Sequence, residues 1–427
     1  MALKPQEVLL IRPVRRFLFM LLKNIGLLYQ CSEAGGQGEV HPITDAALAW
    51  EWGRITWLGP QSELPAKYSA LQSIDAGGKM VIPGLIDCHT HLCFGGWREN
   101  EFEARLLGKS YGEMAKEGGG ILATVKKTRE VSKEELKAKC LSFLSEMAAL
   151  GITTVEAKSG YGLDLENELK ILEIYQELSA LQPLTIVPGF LGAHAIAPEF
   201  KEKRKEYIEL VAGKMIPEIA ARRLAEFCDV FVDESAFSLE EARFILETAK
   251  RYRLKLRLHA DQLHDDGAAA LAAELGAVSA DHLEFSSVAA LQEMKKKGVT
   301  AVVLPLASLT TGKPPVDARK IVEMGIALAV ASDFNPGTAP TYHLPWILSL
   351  SCLLNHLTPA EALKSATLYA ARVLGLEKEV GSLEAGKQAD FALIDAPDVN
   401  FWLYHLRPNA CLLTVKAGKR IFAAAAG

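Results

Sequence analysis

The stretch Val81-Ile-Pro-Gly-Leu-Ile-Asp87-Cys-His89-Thr-His91 runs from a short apolar segment straight into two histidines one residue apart. In an extended chain, side chains at i and i+2 point to the same side, so His89 and His91 can offer two imidazoles to one ion. Seven further short, largely apolar runs follow, at 152–157, 184–191, 228–233, 254–258, 277–280, 300–304 and 326–331. Several are continuously apolar, as parallel strands covered on both faces should be. Charged amphipathic stretches separate them, among them 134–150, 165–181, 200–225, 239–251 and 288–297. Strand–helix repetition eight times over about 250 residues predicts an α/β fold, a closed (β/α)8 TIM-like barrel. An open doubly wound sheet is the alternative, but no G-x-G-x-x-G follows a strand to support it.

The two ends of the chain have a different texture. Short runs at 9–11, 25–29, 46–52 and 55–58 are separated by Gly, Pro and Asp, which suggests small antiparallel strands. The same pattern returns at 381–395, 412–415 and 421–423. The expected organisation is a small composite β-sandwich domain built from 1–80 plus 375–427, around a barrel spanning 81–374.

Composition narrows the function. A chain of 427 residues with 49% hydrophobic and 23% charged residues is neither disordered, collagenous nor a coiled coil. Forty-seven basic against 52 acidic residues give a net charge of −5, so no basic excess exists to hold a phosphate backbone and no nucleic-acid partner is expected. The seven cysteines are widely spaced, odd in number and lack a C-x-x-C, which fits reduced thiols in a cytosolic protein. No uncharged apolar run approaches the ~18–20 residues of a membrane helix. The apolar run 17–22 stops at Lys23, too short for a secretory core. The acid-free stretch 8–32 leaves a mitochondrial presequence as a minor alternative to the expected cytoplasmic location.

Chemistry-bearing residues gather at the ends of the expected strands. His194 follows strand three, His259-Ala-Asp261-Gln262 ends strand five, Asp281-His282 strand six and Ser332-Asp333 strand eight. In a barrel these ends converge on one pocket. The other five histidines, His41, His264, His343, His356 and His405, fall on loops or helices and read as ordinary surface residues. His89, His91, His259 and Asp333 form a mixed N/O set suited to one borderline divalent ion such as zinc or iron. An ion with open positions polarises a carbonyl and lowers the pKa of water to about 7, which is hydrolytic chemistry. Asp261 reads as a carboxylate that orients a ligand histidine. Cys88 and Cys93 read as small buried apolar residues.

Pro83-Gly-Leu-Ile-Asp-Cys-His89-Thr-His91, the strand-five histidine, the strand-eight aspartate and Gly386-Lys-Gln-Ala-Asp390 resemble the amidohydrolase superfamily. Longer segments resemble its imidazolonepropionase family: Phe94-Gly-Gly-Trp-Arg98, Gly118-Gly-Gly-Ile-Leu-Ala-Thr124, Thr154-Val-Glu-Ala-Lys158-Ser-Gly-Tyr161, Phe190-Leu-Gly-Ala-His194, Ser279-Ala-Asp-His282 and Ser332-Asp-Phe-Asn335-Pro-Gly337-Thr338. The resemblance implies hydrolysis of the ring amide of 4-imidazolone-5-propanoate to N-formimidoyl-L-glutamate, in histidine degradation. It implies one Zn2+ or Fe (2+/3+) ion per subunit on His89, His91, His259 and Asp333, a small-molecule substrate and a homodimer. Arg98, Tyr161, His194 and Thr338 would hold the substrate, and Asn335 and Gly337 the formimidoyl group. Gln262 and His282 would flank the reacting carbonyl, with Asp333 moving the proton. Position 262 is Gln where some members carry Glu, which leaves a proton-shuttle role there open. Lys158 falls after strand two, whereas the superfamily's metal-bridging lysine belongs to strand four, so it reads as structural.

Each assignment has a plainer rival. His194 could bond a strand end, His282 could orient another residue and Tyr161 could fill a turn. Arg98 could make a surface salt bridge among Glu99, Glu101 and Glu103. Two other functions compete. A ring aminohydrolase of the same superfamily would need an acid at 262, and Gln262 cannot donate a proton as an acid does. A catalytically silent scaffold would show damaged metal ligands, and all four are present.

Overall fold

Sixteen strands make two sheets in this computed structural model, which describes residues 19–109, 113–114 and 118–425. The first sheet draws on both ends of the chain. From the N-terminal side come β1 (Phe19–Tyr29), β2 (Pro42–Glu51), β3 (Arg54–Pro60), β4 (Ser73–Asp75) and β5 (Met80–Pro83). The second sheet is β6 (Leu85–Asp87), β7 (Ile152–Lys158), β8 (Thr185–Ala193), β9 (Phe227–Phe231), β10 (Lys255–Ala260), β11 (Ser279–His282), β12 (Thr300–Val303) and β13 (Leu328–Val330). From the C-terminal side β14 (Phe391–Ile394), β15 (Cys411–Lys416) and β16 (Lys419–Ala423) complete the first sheet. Its order is β16-β15-β14-β5-β1-β2-β3, with β4 also on β1, so β5 joins the two termini. Trp50 and Phe391 meet edge-to-face, 5.2 Å apart, within its apolar core. The expected strand at 9–11 lies outside the described residues.

The run 81–87, expected as a single strand, is two. Pro83 has no N–H to continue a ladder, and a Cβ on Gly84 would overlap Thr153. Gly84 N donates to Asp390 O at 2.9 Å and Leu85 N to Gly151 O at 2.9 Å, so the chain leaves one sheet and enters the other within two residues.

Strands β6 to β13 lie in sequence order, all parallel, as a nearly closed barrel. Side-chain and loop bonds stitch the seam between the first and last strands. Ser332 N and Oγ donate to the two oxygens of Asp87 at 3.0 and 2.5 Å. Beyond the strand ends, Asp333 N donates to His89 O at 3.0 Å and His91 N to Phe334 O at 2.8 Å.

The helices carry sequence-encoded starts. Ser132/Glu135, Ser238/Glu241 and Thr358/Glu361 are complete capping boxes on Lys133–Ala149, Leu239–Arg251 and Pro359–Ser365. The expected long helix 200–225 is present over 204–222, continuous but with a π turn at Val211–Met215 between Arg204–Leu210 and Ile216–Arg222. Pro217, without an N–H, sits where a regular ladder would need one. Among the described residues no helix is long and apolar enough to cross a membrane. The seven cysteines are free, six of them buried.

Candidate active site

The strand ends turn sharply into the pocket. Asp261, His282 and Asp333 adopt positive φ (52°, 80° and 54°), a conformation that L side chains seldom hold outside constrained sites. The turns swing His282 and Asp333 towards His89, whose ring lies 4.7 Å from that of His259 and 5.4 Å from that of His91. Asp333 Oδ1 is 3.4 Å from Nε2 of both His89 and His91. Ligand atoms of His89, His91 and His259, and separately of His89, His282 and Asp333, all fall within 4.8 Å of one another.

The donor chemistry fits a divalent cation. Asp281 Oδ2 lies 2.6 Å from His89 Nδ1, and Asp229 Oδ1 lies 3.1 Å from His259 Nδ1. Each carboxylate accepts a hydrogen bond from Nδ1–H, which leaves Nε2 with its lone pair free, and both Nε2 atoms are buried without a hydrogen-bond partner. Burial, with Lys158 and His259 adding repulsion, holds His89 and His91 well below the usual imidazole range. They are neutral donors at physiological pH. Burial holds the Asp333 carboxyl above its ordinary range, although His282 and His259 offset part of the rise. Burial also pushes the Cys88 thiol far up, and Cys88 belongs to none of the donor groups that come together among the described residues.

Beneath this cluster lies a layer that the sequence reading overlooked. Lys158 Nζ donates to Glu156 Oε1 at 2.9 Å and to Asp229 Oδ2 at 2.8 Å. Arg257 donates to Asp281 Oδ2 at 2.5 Å, Ser279 Oγ at 3.1 Å and Cys88 O at 2.8 Å. All five charged side chains are essentially inaccessible, with two cations against three carboxylates. Removing one partner from such a group typically costs about 3–5 kcal/mol, because it strands a buried charge. The signal was available: Glu156/Lys158, Arg257/His259 and Ser279/Asp281 are i, i+2 pairs that share the barrel-facing side. Lys158 is thus part of the support under the site. Asp261 is not the orienting carboxylate expected. Its oxygens accept from Ala268 N (2.8 Å), Ala269 N (3.3 Å) and Ser286 Oγ (2.6 Å), holding the start of the helix Ala268–Leu275, while Asp281 and Asp229 face the histidines.

A pocket of about 490 Å³ opens above the cluster. Every residue expected to hold the metal or the substrate or to flank the reacting carbonyl lines it, except His89 and Gly337. Arg98 is 4% exposed, so the surface reading fails, although its pairing with an acidic neighbour holds: Nε lies 3.3 Å from Glu101 Oε2. A Cβ on Gly337 would overlap the Arg98 guanidinium, so this glycine makes room for the arginine. Asn335 braces the same loop: Oδ1 accepts from Gly337 N and Thr338 N (both 2.8 Å), and Nδ2 donates to Asp333 O at 2.7 Å. His194 bonds the loop beyond β7, with Nδ1 3.0 Å from Gly160 O, and also faces the pocket, stacked 5.0 Å from His91. Tyr161 sits on a loop clasped by Glu168, whose carboxylate accepts from the N–H groups of Gly160, Gly162 and Leu163 at 2.8–3.2 Å. Phe231 and Leu263 add apolar wall that sequence reading did not anticipate.

Residues 80–421 match the Amidohydrolase family. The imidazolonepropionase of Shewanella baltica (strain OS223) is 46% identical over 383 residues, covering 89% of this chain and 93% of that protein. That of Thermoanaerobacter pseudethanolicus is 42% identical over 403 residues, covering 93% and 96%. Among solved structures, Escherichia coli guanine deaminase superposes with a TM-score of 0.71 at 14% identity, covering 95% of this chain and 99% of its own. The 5-methylcytosine deaminase of Klebsiella pneumoniae gives 0.72 at 17%, covering 96% and 99%. At such identities the two structures speak to the fold alone.

Proposed function

The chain belongs to the amidohydrolase family, within it to the imidazolonepropionases, and we infer that it hydrolyses the ring amide C–N bond of 4-imidazolone-5-propanoate to N-formimidoyl-L-glutamate in histidine degradation. The observation that carries this reading is one pocket with a buried guanidinium, Arg98, and a neutral-histidine and carboxylate cluster on its walls. Such a pocket suits a substrate with a carboxylate tail and a reacting ring carbonyl.

His89, His91, His259 and Asp333 would hold one zinc or iron ion. A bound ion of this kind supplies Lewis acidity, which polarises a carbonyl and makes water a nucleophile near neutral pH. Asp333 accepts the proton from the attacking water and returns it to the leaving ring nitrogen. Burial pulls the His282 pKa down, but Glu284 and Asp333 more than offset this and hold it raised. His282 therefore suits a hydrogen-bond donor to the developing oxyanion. Arg98 grips the propionate with a planar fork that a lysine cannot reproduce. Tyr161, His194 and Thr338 hold the ring, Asn335 and Gly337 shape the formimidoyl end, and Gln262 hydrogen-bonds beside the carbonyl. A cytoplasmic homodimer completes the proposal, to be checked by fractionation and light scattering.

The test is an assay of the purified chain on imidazolonepropionate, with metal analysis of the same sample. Turnover should rise with metal content and disappear in His259→Ala and Asp333→Ala, each of which should hold one ion per chain fewer than wild type. Metal-loaded protein that ignores this substrate yet releases ammonia from aminated rings would transfer the site to the aminohydrolases.

A further inference from the structure

Outside the barrel centre, the loops following β9 and β10 bring Asp233, His264 and Asp266 together at the rim of the same face. One donor atom from each lies within 4.8 Å of the others. Asp233 is 4% exposed, and its two oxygens have different surroundings. Oδ1 accepts from Ser235 N at 2.9 Å and from Ser235 Oγ at 2.6 Å, which fixes the carboxylate plane. Oδ2 is turned towards His264 and Asp266, buried and without a hydrogen-bond partner, and Asp266 Oδ2 is in the same condition. His264 Nδ1 is 3.5 Å from Asp233 Oδ2, too long for a good hydrogen bond. One imidazolium could in any case give its Nδ1 proton to only one of two buried carboxylate oxygens. Two desolvated carboxylate oxygens facing each other call for a cation between them.

We propose that Asp233, His264 and Asp266 form a second divalent-cation site, which clamps the β9 loop to the β10 loop beside the pocket. Two carboxylate oxygens and one imidazole nitrogen are the donors of a borderline ion such as zinc or manganese, rather than of calcium, which takes oxygen alone. Bonds of about 2.0–2.2 Å need only a small contraction of the present donor spacing. The surroundings agree. Burial and the neighbouring Asp233, Asp261 and Glu234 charges hold the Asp266 carboxyl above its ordinary range, the repulsion that a bound cation relieves. The backbone is already set for the ligands: Asp266 N donates to His264 O at 3.1 Å, and Ala236 N to Asp233 O at 2.9 Å.

Equilibrium dialysis of the full chain against micromolar Zn2+, then Mn2+, followed by metal analysis, tests the site. Wild type should hold one more ion per chain than either His264→Ala or Asp266→Asn. That difference reads the rim site whatever the barrel centre holds and whatever substrate is turned over. Because the His264 side chain is 56% exposed, His264→Ala keeps the test open even if Asp266→Asn does not fold. Hydrogen exchange at residues 232–236 and 262–267 should slow on adding Zn2+ to wild type and not to His264→Ala. Equal stoichiometry in wild type and His264→Ala, or exchange unchanged by the metal, overturns the proposal.

Discussion

Arg98 buries a guanidinium against Glu101 and on the pocket wall, far along the chain from the ring-opening residues. If it grips the propionate, it binds ground state and transition state about equally, so its loss raises KM and leaves kcat nearly untouched. A charge-assisted pair of this kind is worth about 2–4 kcal/mol when one partner is removed. Arg98→Ala should therefore lower kcat/KM roughly 30- to 1,000-fold, mostly through KM, with partial recovery in Arg98→Lys. Gly337→Ala should move KM in the same direction without touching the arginine itself, because the added Cβ displaces the guanidinium. Steady-state kinetics of the three variants decide the matter; a fall in kcat at constant KM would place Arg98 at the reacting centre instead. Asp281 and Asp229 act one step further out, each holding the far nitrogen of a ligand histidine. Asp281→Asn and Asp229→Asn should weaken metal binding about 10- to 100-fold, read by competition with a chelating dye. Unchanged affinity in both would mean that the rings are oriented by packing alone.

Among the elements, the loop 160–163 shows how a segment without regular structure is made rigid. Glu168, from the first turn of the helix Leu165–Leu181, gathers three of its N–H groups. Each donor stranded by Glu168→Ala costs about 1–3 kcal/mol, so the variant should melt earlier and, where folded, bind substrate more weakly through a displaced Tyr161. Thermal melts and KM measured together check this; an earlier melt with an unchanged KM would leave Glu168 a purely structural role. The eight barrel strands were legible because parallel strands buried on both faces read as apolar runs, and the clustering of His89, His91, His259 and Asp333 because residues that follow barrel strands converge on one pocket. The break at Gly84 was overlooked because an apolar run continues across it, although Pro83-Gly84 is itself a turn signal, and the close approach of Thr153 to Gly84 shows only in the structure. Nor were the roles of Asp229 and Asp261 legible. Both are acids near a strand end, and only the register shows Asp229 facing into the barrel, paired with Arg257 across β9 and β10, while Asp261 turns out to hold a helix start. The pairing of Arg98 with Glu101 was readable from their i, i+3 spacing, but its burial depends on Gly337, 239 positions on from Arg98 along the chain.

At the scale of the whole molecule, the candidate ligands straddle the barrel seam: His89 and His91 follow the first strand and Asp333 the last. An ion held by both sides ties the two strands, so its removal should lower the stability of the whole barrel. An ion at 1,000 times its dissociation constant contributes about 4 kcal/mol. Chelation should thus lower Tm by several degrees more in wild type than in Asp333→Ala, by calorimetry with and without chelator; equal shifts in both would detach the metal from the seam. The seam also has a consequence in time. Asp87 and Ser332 bond across 245 positions of chain, and at about 5–20 residues synthesised per second the first strand waits roughly 12–50 s on the ribosome for its partner. Throughout that interval the His89–His91 pair exists without its carboxylate, a half-built chelate open to any passing metal. If the pair holds the ion as proposed, metal supplied during synthesis should compete for it before the last strand arrives.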